Sequence, residues 1–127
     1  MSLHRRKVLG LAGAATAAAW SRAARADTYP SRPVRIMVGY SAGGGVDIAA
    51  RLIGQWLAER LRQQFVVENR TGAATNIATE VVVRAPADGY TLLLVNAANA
   101  INATYYEHLT FDFLRVIAPV AGIGRFP

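Results

Sequence analysis

The spacing of apolar and polar positions predicts that strands and helices alternate along most of the chain. Val34 to Tyr40 is rich in β-branched and apolar residues, which is typical of a buried strand. From Val46 to about Arg62 the apolar residues recur at helical spacing and share one face, on which Trp56 is most simply a core residue. That face comprises Ile48, Leu52, Ile53, Trp56, Leu57 and Leu61.

The same kind of pattern continues towards the C-terminus. Phe65 to Glu68 is predicted as a second short strand, and Thr91 to Val95 as a third. Asn76 is a good N-cap for a helix that runs to about Arg84. The remaining predicted elements are a short helix that ends near Glu107 and a fourth strand over Pro119 to Ile123.

Alternating strands and helices indicate an α/β fold, in which right-handed βαβ units build a parallel sheet with flanking helices on both faces. Ligands of such sheets bind at the carboxyl ends of the strands. Three loops are expected at that edge, all rich in Gly, Ala, Ser, Thr and Asn: Ser41 to Asp47, Thr71 to Asn76, and Asn96 to Asn99.

Three consecutive glycines, Gly43 to Gly45, separate the first strand from the first helix. Glycine lets the backbone approach a ligand closely and a helix N-terminus adds partial positive charge, so the loop suits an anion. A tight strand-to-helix turn explains the glycines equally well when they are taken alone. The second helix start at Asn76, on the same edge, favours the anion site. Asp47 is interpreted as a helix-capping carboxylate.

The positive charge of the chain is concentrated in its first 26 residues. The formal net charge is +6, but five of the fourteen basic residues lie before Asp27, which leaves nine arginines against eight acidic residues. A body with a net charge of +1 has no basic stripe for a phosphate backbone, so no nucleic-acid partner is expected. The absence of cysteine excludes disulfides and thiolate chemistry.

Residues 1 to 26 have the pattern of a signal peptide. A basic start at Arg5 to Lys7 precedes an apolar run from Val8 to Ala19, which is too short for a membrane span. Ala24 to Ala26 forms a small-x-small cleavage site, so the mature chain is expected to begin at Asp27. The arginine pair resembles a twin-arginine export signal, and a Sec signal is the alternative.

A hydrolase is one alternative function. Gly39 to Gly43 matches G-x-S-x-G between a strand and a helix, which places Ser41 where a nucleophile would stand. His108 is the only histidine after the signal peptide, and it is more typical of a surface residue. Gly44 and Gly45 also extend the loop beyond the sharp turn that a nucleophile needs. No acidic or histidine cluster has metal-ligand spacing, so no metal site is predicted.

A dinucleotide-binding module is a weaker alternative. The glycine loop contains G-x-G, but Ile48 stands where the third glycine of the fingerprint belongs. Glu68 does end the second strand, where a ribose-binding acid would lie. The fingerprint is therefore incomplete, and no cofactor is expected.

Several segments together resemble the substrate-binding proteins of tripartite tricarboxylate transporters, also called the Bug family. The resemblance covers the chain from Tyr29 onwards, and its specificity lies in the order and spacing of the segments. They are Tyr29 to Arg35, Gly43 to Asp47, Ile48 to Leu52, Val67 to Gly72, Ala87 to Leu93, Ala100 to Asn102, and the later Leu109, Asp112 and Ala118 to Val120.

This resemblance implies the first lobe of a two-lobed, type II-like periplasmic binding protein, which closes around a small carboxylate and delivers it to membrane transporter subunits. It implies no enzymatic activity. The ligand would be held by backbone amides, small polar side chains and water. The positions that match the binding loops are Ser41, Gly43, Gly44, Gly45, Asp47, Thr75, Asn76, Asn96, Ala97 and Asn99.

The sequence departs from the family pattern in three ways. Ala74 and Thr75 stand at glycine-type positions of the second loop, which would narrow or reshape the carboxylate cradle. Ala103 replaces a proline after the Ile-Asn pair. Family members are also longer, so residues 27 to 127 are expected to form an incomplete first lobe, with the second lobe missing.

Overall fold

The centre of the fold is a parallel sheet in which the first strand lies between the other two, in the order β2-β1-β3. The computed structural model describes residues 28–106 and 108–124. The predicted signal peptide therefore lies outside the described residues. The elements are β1 Val34–Val38, α1 Gly45–Leu61, β2 Phe65–Asn69, a 3-10 turn Ala73–Thr75, α2 Asn76–Val83, β3 Thr91–Leu94, α3 Ala97–Tyr105 and α4 Phe113–Val116.

The register of the sheet confirms the predicted parallel arrangement. Val34 pairs with Phe65 and Val38 with Asn69 on one side of β1, while Val38 also pairs with Leu94 on the other side. As the central strand, β1 is the most buried, and Val34, Met37 and Val38 expose none of their surface. All three strands run in one direction, so their carboxyl ends meet at one edge of the sheet.

Helices flank the sheet on both faces, as the alternating pattern predicts. Ile36 and Val38 point to one face and form the core cluster with Ala50 of α1. Side chains alternate along a strand, so Gly39 belongs to the opposite face, where it lies against Thr75 at the start of α2. The predicted α/β fold with flanking helices is therefore confirmed.

The prediction of which face α1 buries is wrong in part, since Ile53 and Leu57 of that face are half-buried and its other members are exposed. Ile48, Leu52 and Trp56 expose 52%, 63% and 52% of their surface, so Trp56 is not a core residue. The buried residues of α1 are the smaller Asp47, Ala50 and Gly54. Small side chains let the helix axis come close to the sheet, and that close approach selects a face different from the most apolar one.

The predicted fourth strand over Pro119 to Ile123 is also wrong. Residues 117–124 form no regular structure, and Val120 and Ile123 are 81% and 59% exposed. A strand needs the hydrogen-bonding groups of a neighbouring strand, and this segment has none beside it among the described residues.

Within the described part of the chain, no helix combines the length and apolar character needed to cross a bilayer.

The environment of Gly54 generates a stability prediction. An added Cβ there would lie 3.5 Å from Ile36 Cδ1 and from Phe65 Cβ, which is ordinary van der Waals contact. We expect Gly54→Ala to raise the free energy of unfolding by about 1 kcal/mol, because alanine has the higher helix propensity. Urea unfolding followed by circular dichroism measures this, and a lower unfolding midpoint would show that α1 packs more tightly than described.

Candidate functional site

The ends of the three strands, from which the predicted loops start, are joined by hydrogen bonds at the carboxyl edge of the sheet. The side-chain amide of Asn69, at the end of β2, donates to the carbonyl of Tyr40 after β1, at 2.9 Å. The Tyr40 hydroxyl in turn contacts the side-chain amide of Asn96 after β3, with Nδ2 to Oη at 2.7 Å. The structure therefore brings all three loops together, as their position on a parallel sheet predicts.

The loop between β1 and α1 leaves backbone amides without side-chain partners. Gly43 has a φ of 84°, and the next residue, Gly44, is the N-cap of α1. Gly44 has no side chain that could accept the first amide hydrogens of the helix. The first amides of a helix also have no intrahelical acceptor, so the N–H groups of Gly45 and Val46 are available at this exposed loop.

Asp47 is not the helix cap that the sequence analysis predicted. It lies in the first turn of α1, exposes only 2% of its surface and binds groups from three sides. Its carboxylate accepts the backbone N–H of Gly43 at 2.8 Å, the amide of Asn69 at 2.9 Å and Nε of Arg51 at 2.9 Å. The carboxylate therefore stabilises the glycine loop from its buried side and links that loop to β2.

These contacts favour the ionised form of Asp47. The hydrogen bond from Arg51 lowers the pKa of its carboxyl group most, followed by those from the Gly43 amide and from Asn69, and the pKa lies far below the usual range. The same contact holds the Arg51 guanidinium, which also donates to Asn69 Oδ1 at 3.2 Å. The positive charge of Arg51 is thus already compensated within the protein.

The second loop has an unusual backbone. Gly72, Ala73, Ala74 and Thr75 have successive φ values of 126°, 43°, 50° and 80°. The left-handed region costs about 1–2 kcal/mol for each residue that carries a Cβ. Alanine and threonine occupy the glycine-type positions 74 and 75, and the structure shows that these positions do need a conformation that glycine adopts easily.

The N-cap of α2 is Thr75, so the prediction that Asn76 has this role is wrong. Asn76 is the first residue of the helix, and its Oδ1 accepts from Nδ2 of Asn102 at 3.1 Å. Thr75 makes no side-chain capping bond, because its hydroxyl is occupied by Nδ2 of Asn99 at 3.0 Å. The strained turn, rather than an asparagine cap, sets where α2 begins.

The third loop is shorter than predicted, because α3 begins at Ala97. Asn96 is its N-cap and accepts the N–H of Ala98 at 3.0 Å, while Oδ1 of Asn99 accepts the N–H of Asn96 at 3.0 Å. This reciprocal pair is a capping box that draws the predicted loop residues into the helix.

Two asparagines on α3 are buried between α2 and the strained turn. Nδ2 of Asn99 donates to the hydroxyls of Thr75 and Thr79, and Nδ2 of Asn102 donates to the carbonyl of Ala74. Sequence analysis missed Asn102, as it missed Tyr40 and Asn69. A spacing of three residues on a helix places Asn99 and Asn102 on one face, which is the signal that could have paired them.

The predicted site residues divide into two groups in the structure. The exposed or half-exposed group can meet a ligand, and the buried group supports it from within. The exposed and half-exposed residues are Ser41, Gly43, Gly44, Gly45, Asn76, Asn96 and Ala97, and the buried ones are Asp47, Thr75 and Asn99.

The geometry around Ser41 does not favour the hydrolase alternative. α1 begins at Gly45, four residues after the serine, whereas a nucleophile elbow places the serine at the sharp turn into the helix. Ser41 also has no positive φ, and its carbonyl accepts the N–H of Gly44 at 3.3 Å in an ordinary turn.

Glu68 is similarly ill placed to bind a ribose. Both of its carboxylate oxygens bind Arg35 on β1, at 2.7 and 2.9 Å. The hydrogen bond from Arg35 lowers the pKa of Glu68, so this carboxylate is one partner of a two-point ion pair on the sheet face. The contacts do not favour the dinucleotide alternative.

Comparison with known proteins decides the family. The sequence matches the family described as "Tripartite tricarboxylate transporter family receptor", also called TctC, over residues 49–127. The chain belongs to this receptor family. A curated relative of the receptor chain is BugT of Bordetella pertussis, 36% identical over 104 residues, which cover 80% of this chain and 32% of BugT.

Two solved structures of similar proteins contain dicarboxylates. MatC from Rhodopseudomonas palustris with bound malate is 31% identical, with a TM-score of 0.61 over 67% of the receptor chain and 29% of MatC. An R. palustris protein with adipate is 45% identical, with a TM-score of 0.50 over 51% of the receptor chain and 22% of its own.

The receptor chain spans about a third of the length of the curated relatives that it matches. Those relatives and the solved neighbours include solute-binding proteins and a periplasmic transporter. The family that the chain matches is described as one of transporter receptors.

The contact between Gly39 and Thr75 predicts a steric requirement at this edge of the receptor chain. A Cβ on Gly39 would lie 2.5 Å from Cβ of Thr75 and 2.9 Å from its Cα. We expect Gly39→Ala to lower the free energy of unfolding by about 1–3 kcal/mol through overpacking. Urea unfolding measures this, with Gly54→Ala as the matched control, and equal stability of the two variants would contradict the close contact.

The buried carboxylate of Asp47 predicts a dependence of stability on pH. Its pKa is lower in the folded than in the unfolded chain, so its contribution is complete above the unfolded pKa of about 3.9 and is lost as the pH falls below it. We expect Asp47→Asn to destabilise the receptor chain most near pH 7, and the gap from the wild type to shrink below about pH 4. Urea midpoints from pH 7 to pH 2 test this, and a gap independent of pH would contradict it.

Proposed function

We propose that this chain forms part of the solute-binding receptor of a tripartite tricarboxylate transporter, and that it captures a small carboxylate-bearing solute. The family assignment supports the receptor role. The malate and adipate in two similar structures support a carboxylate as the chemical class of the ligand. The proposal concerns the chemical class of the ligand and the way in which the protein binds that ligand.

The observation that carries the proposal is the start of α1 at an exposed glycine N-cap. A capping side chain normally offers an oxygen to the N–H groups of the first turn. Gly44 offers none, so the N–H groups of Gly45 and Val46 face the loop without that oxygen. A ligand carboxylate in this position would take over the hydrogen bonds of the missing cap and would meet the positive end of the helix dipole.

The contacts of Arg51, beside the glycine loop, favour recognition by amides rather than by its guanidinium. Arg51 is bound to Asp47 and Asn69, and Arg35 is bound to Glu68. Neither guanidinium is therefore available to a ligand without losing an internal partner. Neutral N–H groups in an oriented loop bind an anion without such a loss.

The remaining predicted site residues complete the proposed cradle. Ser41 is exposed in the first loop, and Asn96 is half-exposed in the third. Asn76 is half-exposed as well and begins α2 at the end of the second loop. In this proposal Asp47, Thr75 and Asn99 support these groups from the buried side. The proposed ligand-contacting positions are the exposed and half-exposed ones: Ser41, Gly43, Gly44, Gly45, Asn76, Asn96 and Ala97.

The proposal also includes export and docking. The signal-peptide pattern of residues 1 to 26 supports cleavage near Ala26 and a periplasmic location. Because the relatives are about three times as long as the matched stretch, we propose a second lobe that closes over the ligand. The closed receptor would then dock on the membrane subunits of the transporter.

The binding mode can be tested by mapping amide resonances. We expect malate to shift the amide signals of Gly45 and Val46 in the ¹⁵N-labelled chain, because their N–H groups are the proposed donors. The dimethyl ester of malate should leave those signals unchanged, since it has no carboxylate. Titrations with malate and adipate that move only distant signals, or none, would contradict the proposal.

A neutral cap at Gly44 sharpens this test. In Gly44→Asn the new side chain should accept the N–H groups that the ligand needs, so the malate response should disappear while stability changes by only a few tenths of a kcal/mol. Gly122→Asn is the matched control, because Gly122 has open space around it and lies outside the site. Retained binding in Gly44→Asn would show that α1 does not hold the carboxylate.

A further inference from the structure

The start of α2 depends on a turn whose residues do not favour its conformation. Ala73, Ala74 and Thr75 follow one another in the left-handed region, with φ values of 43°, 50° and 80°. The internal hydrogen bond of the turn, from the N–H of Thr75 to the carbonyl of Gly72, is 3.1 Å long. Such a backbone persists only where the surrounding structure imposes it.

Asn102 and Asn99 supply that constraint from α3. Nδ2 of Asn102 donates to the carbonyl of Ala74 and, at 3.1 Å, to Oδ1 of Asn76, so one amide group binds the turn and the first residue of α2. Nδ2 of Asn99 binds the hydroxyls of Thr75 at 3.0 Å and Thr79 at 3.1 Å. The two asparagines expose 5% and 3% of their surface, so water does not compete for these contacts.

Asn99 also connects this clamp to the third loop. Its Oδ1 accepts the N–H of Asn96 at 3.0 Å, while its Nδ2 holds the side chain of Thr75. One side chain therefore fixes the N-terminus of α3 relative to that of α2. A shift of either helix start would break a buried hydrogen bond, which costs more than the loss of an exposed one.

We propose that Asn99 and Asn102 are positioning residues that hold the Gly72–Thr75 turn in its strained form and thereby aim the N-terminus of α2 at the bound carboxylate. This inference rests on the proposed function for the role of α2 in binding. The clamp itself rests on the buried contacts. The ligand does not touch Asn102, which acts through Ala74 and Asn76.

Hydrogen exchange tests the clamp without any ligand. In Asn102→Ala the hydrogen-bonded amides of Thr75 and Asn76 should exchange roughly tenfold faster, while those of β1 keep their rates. Ala74→Gly in the same chain should restore slow exchange, because glycine adopts the left-handed region without the cost of a Cβ. Unchanged exchange in Asn102→Ala, or no recovery in the double variant, would overturn the clamp.

Malate affinity, measured by amide shifts, tests the positioning role. Asn102→Ala and Asn99→Ala should weaken binding roughly tenfold, and Ala74→Gly should return most of the affinity to Asn102→Ala. Thr104→Ala, an exposed position on the same helix, is the matched control and should bind as the wild type does. Wild-type affinity in Asn102→Ala would reject the positioning role. If malate shifts no amide signals of the wild-type chain, the proposed function is contradicted. The hydrogen-exchange experiment then still tests whether Asn99 and Asn102 hold the turn.

Discussion

The buried carboxylate of Asp47 is the contact around which the carboxyl edge of the sheet is assembled. It belongs to α1, yet its partners come from the preceding glycine loop, from the end of β2 and from the next turn of its own helix. Asn69 extends the connection to Tyr40. Removal of the carboxylate would leave donors from three segments without their acceptor, which is more damaging than the loss of one bond.

This arrangement divides the amides at the start of α1 between two tasks. The N–H of Gly43 is bound by Asp47, so one internal anion already shapes the loop. The N–H groups of Gly45 and Val46 point from a helix start that has no side-chain cap. In the proposed binding mode, an external carboxylate would therefore be held without rearrangement of the loop, because the internal carboxylate has already organised it. Such preorganisation reduces the ordering cost of binding.

The sequence was sufficient for those features that depend on local chemistry and on topology. Runs of β-branched and apolar residues identified three strands, and their parallel order placed three loops at one edge. Periodicity failed for α1, because it shows which residues share a face but not how closely a helix can approach a sheet. Ala50 and Gly54 allow that close approach, and they outweigh a more apolar stripe that includes Trp56.

Other features were hidden because they depend on contacts between distant parts of the chain. Asn102 binds residues 26 and 28 positions earlier, which no local pattern reveals. Residues 119–123 have the composition of a strand but lack a neighbouring strand in the described residues. The export signal lies outside those residues and stays a prediction.

The contact between Gly39 and Thr75 restricts the evolutionary routes open to this edge of the fold. A Cβ at position 39 would lie 2.5 Å from Cβ of residue 75 and 2.9 Å from its Cα. Alanine or serine at position 75 would carry the same Cβ, and the Cα belongs to the backbone itself. Position 39, 36 residues earlier in the sequence, is therefore restricted to glycine for as long as the backbone keeps this path, and a substitution at position 75 alone does not release it.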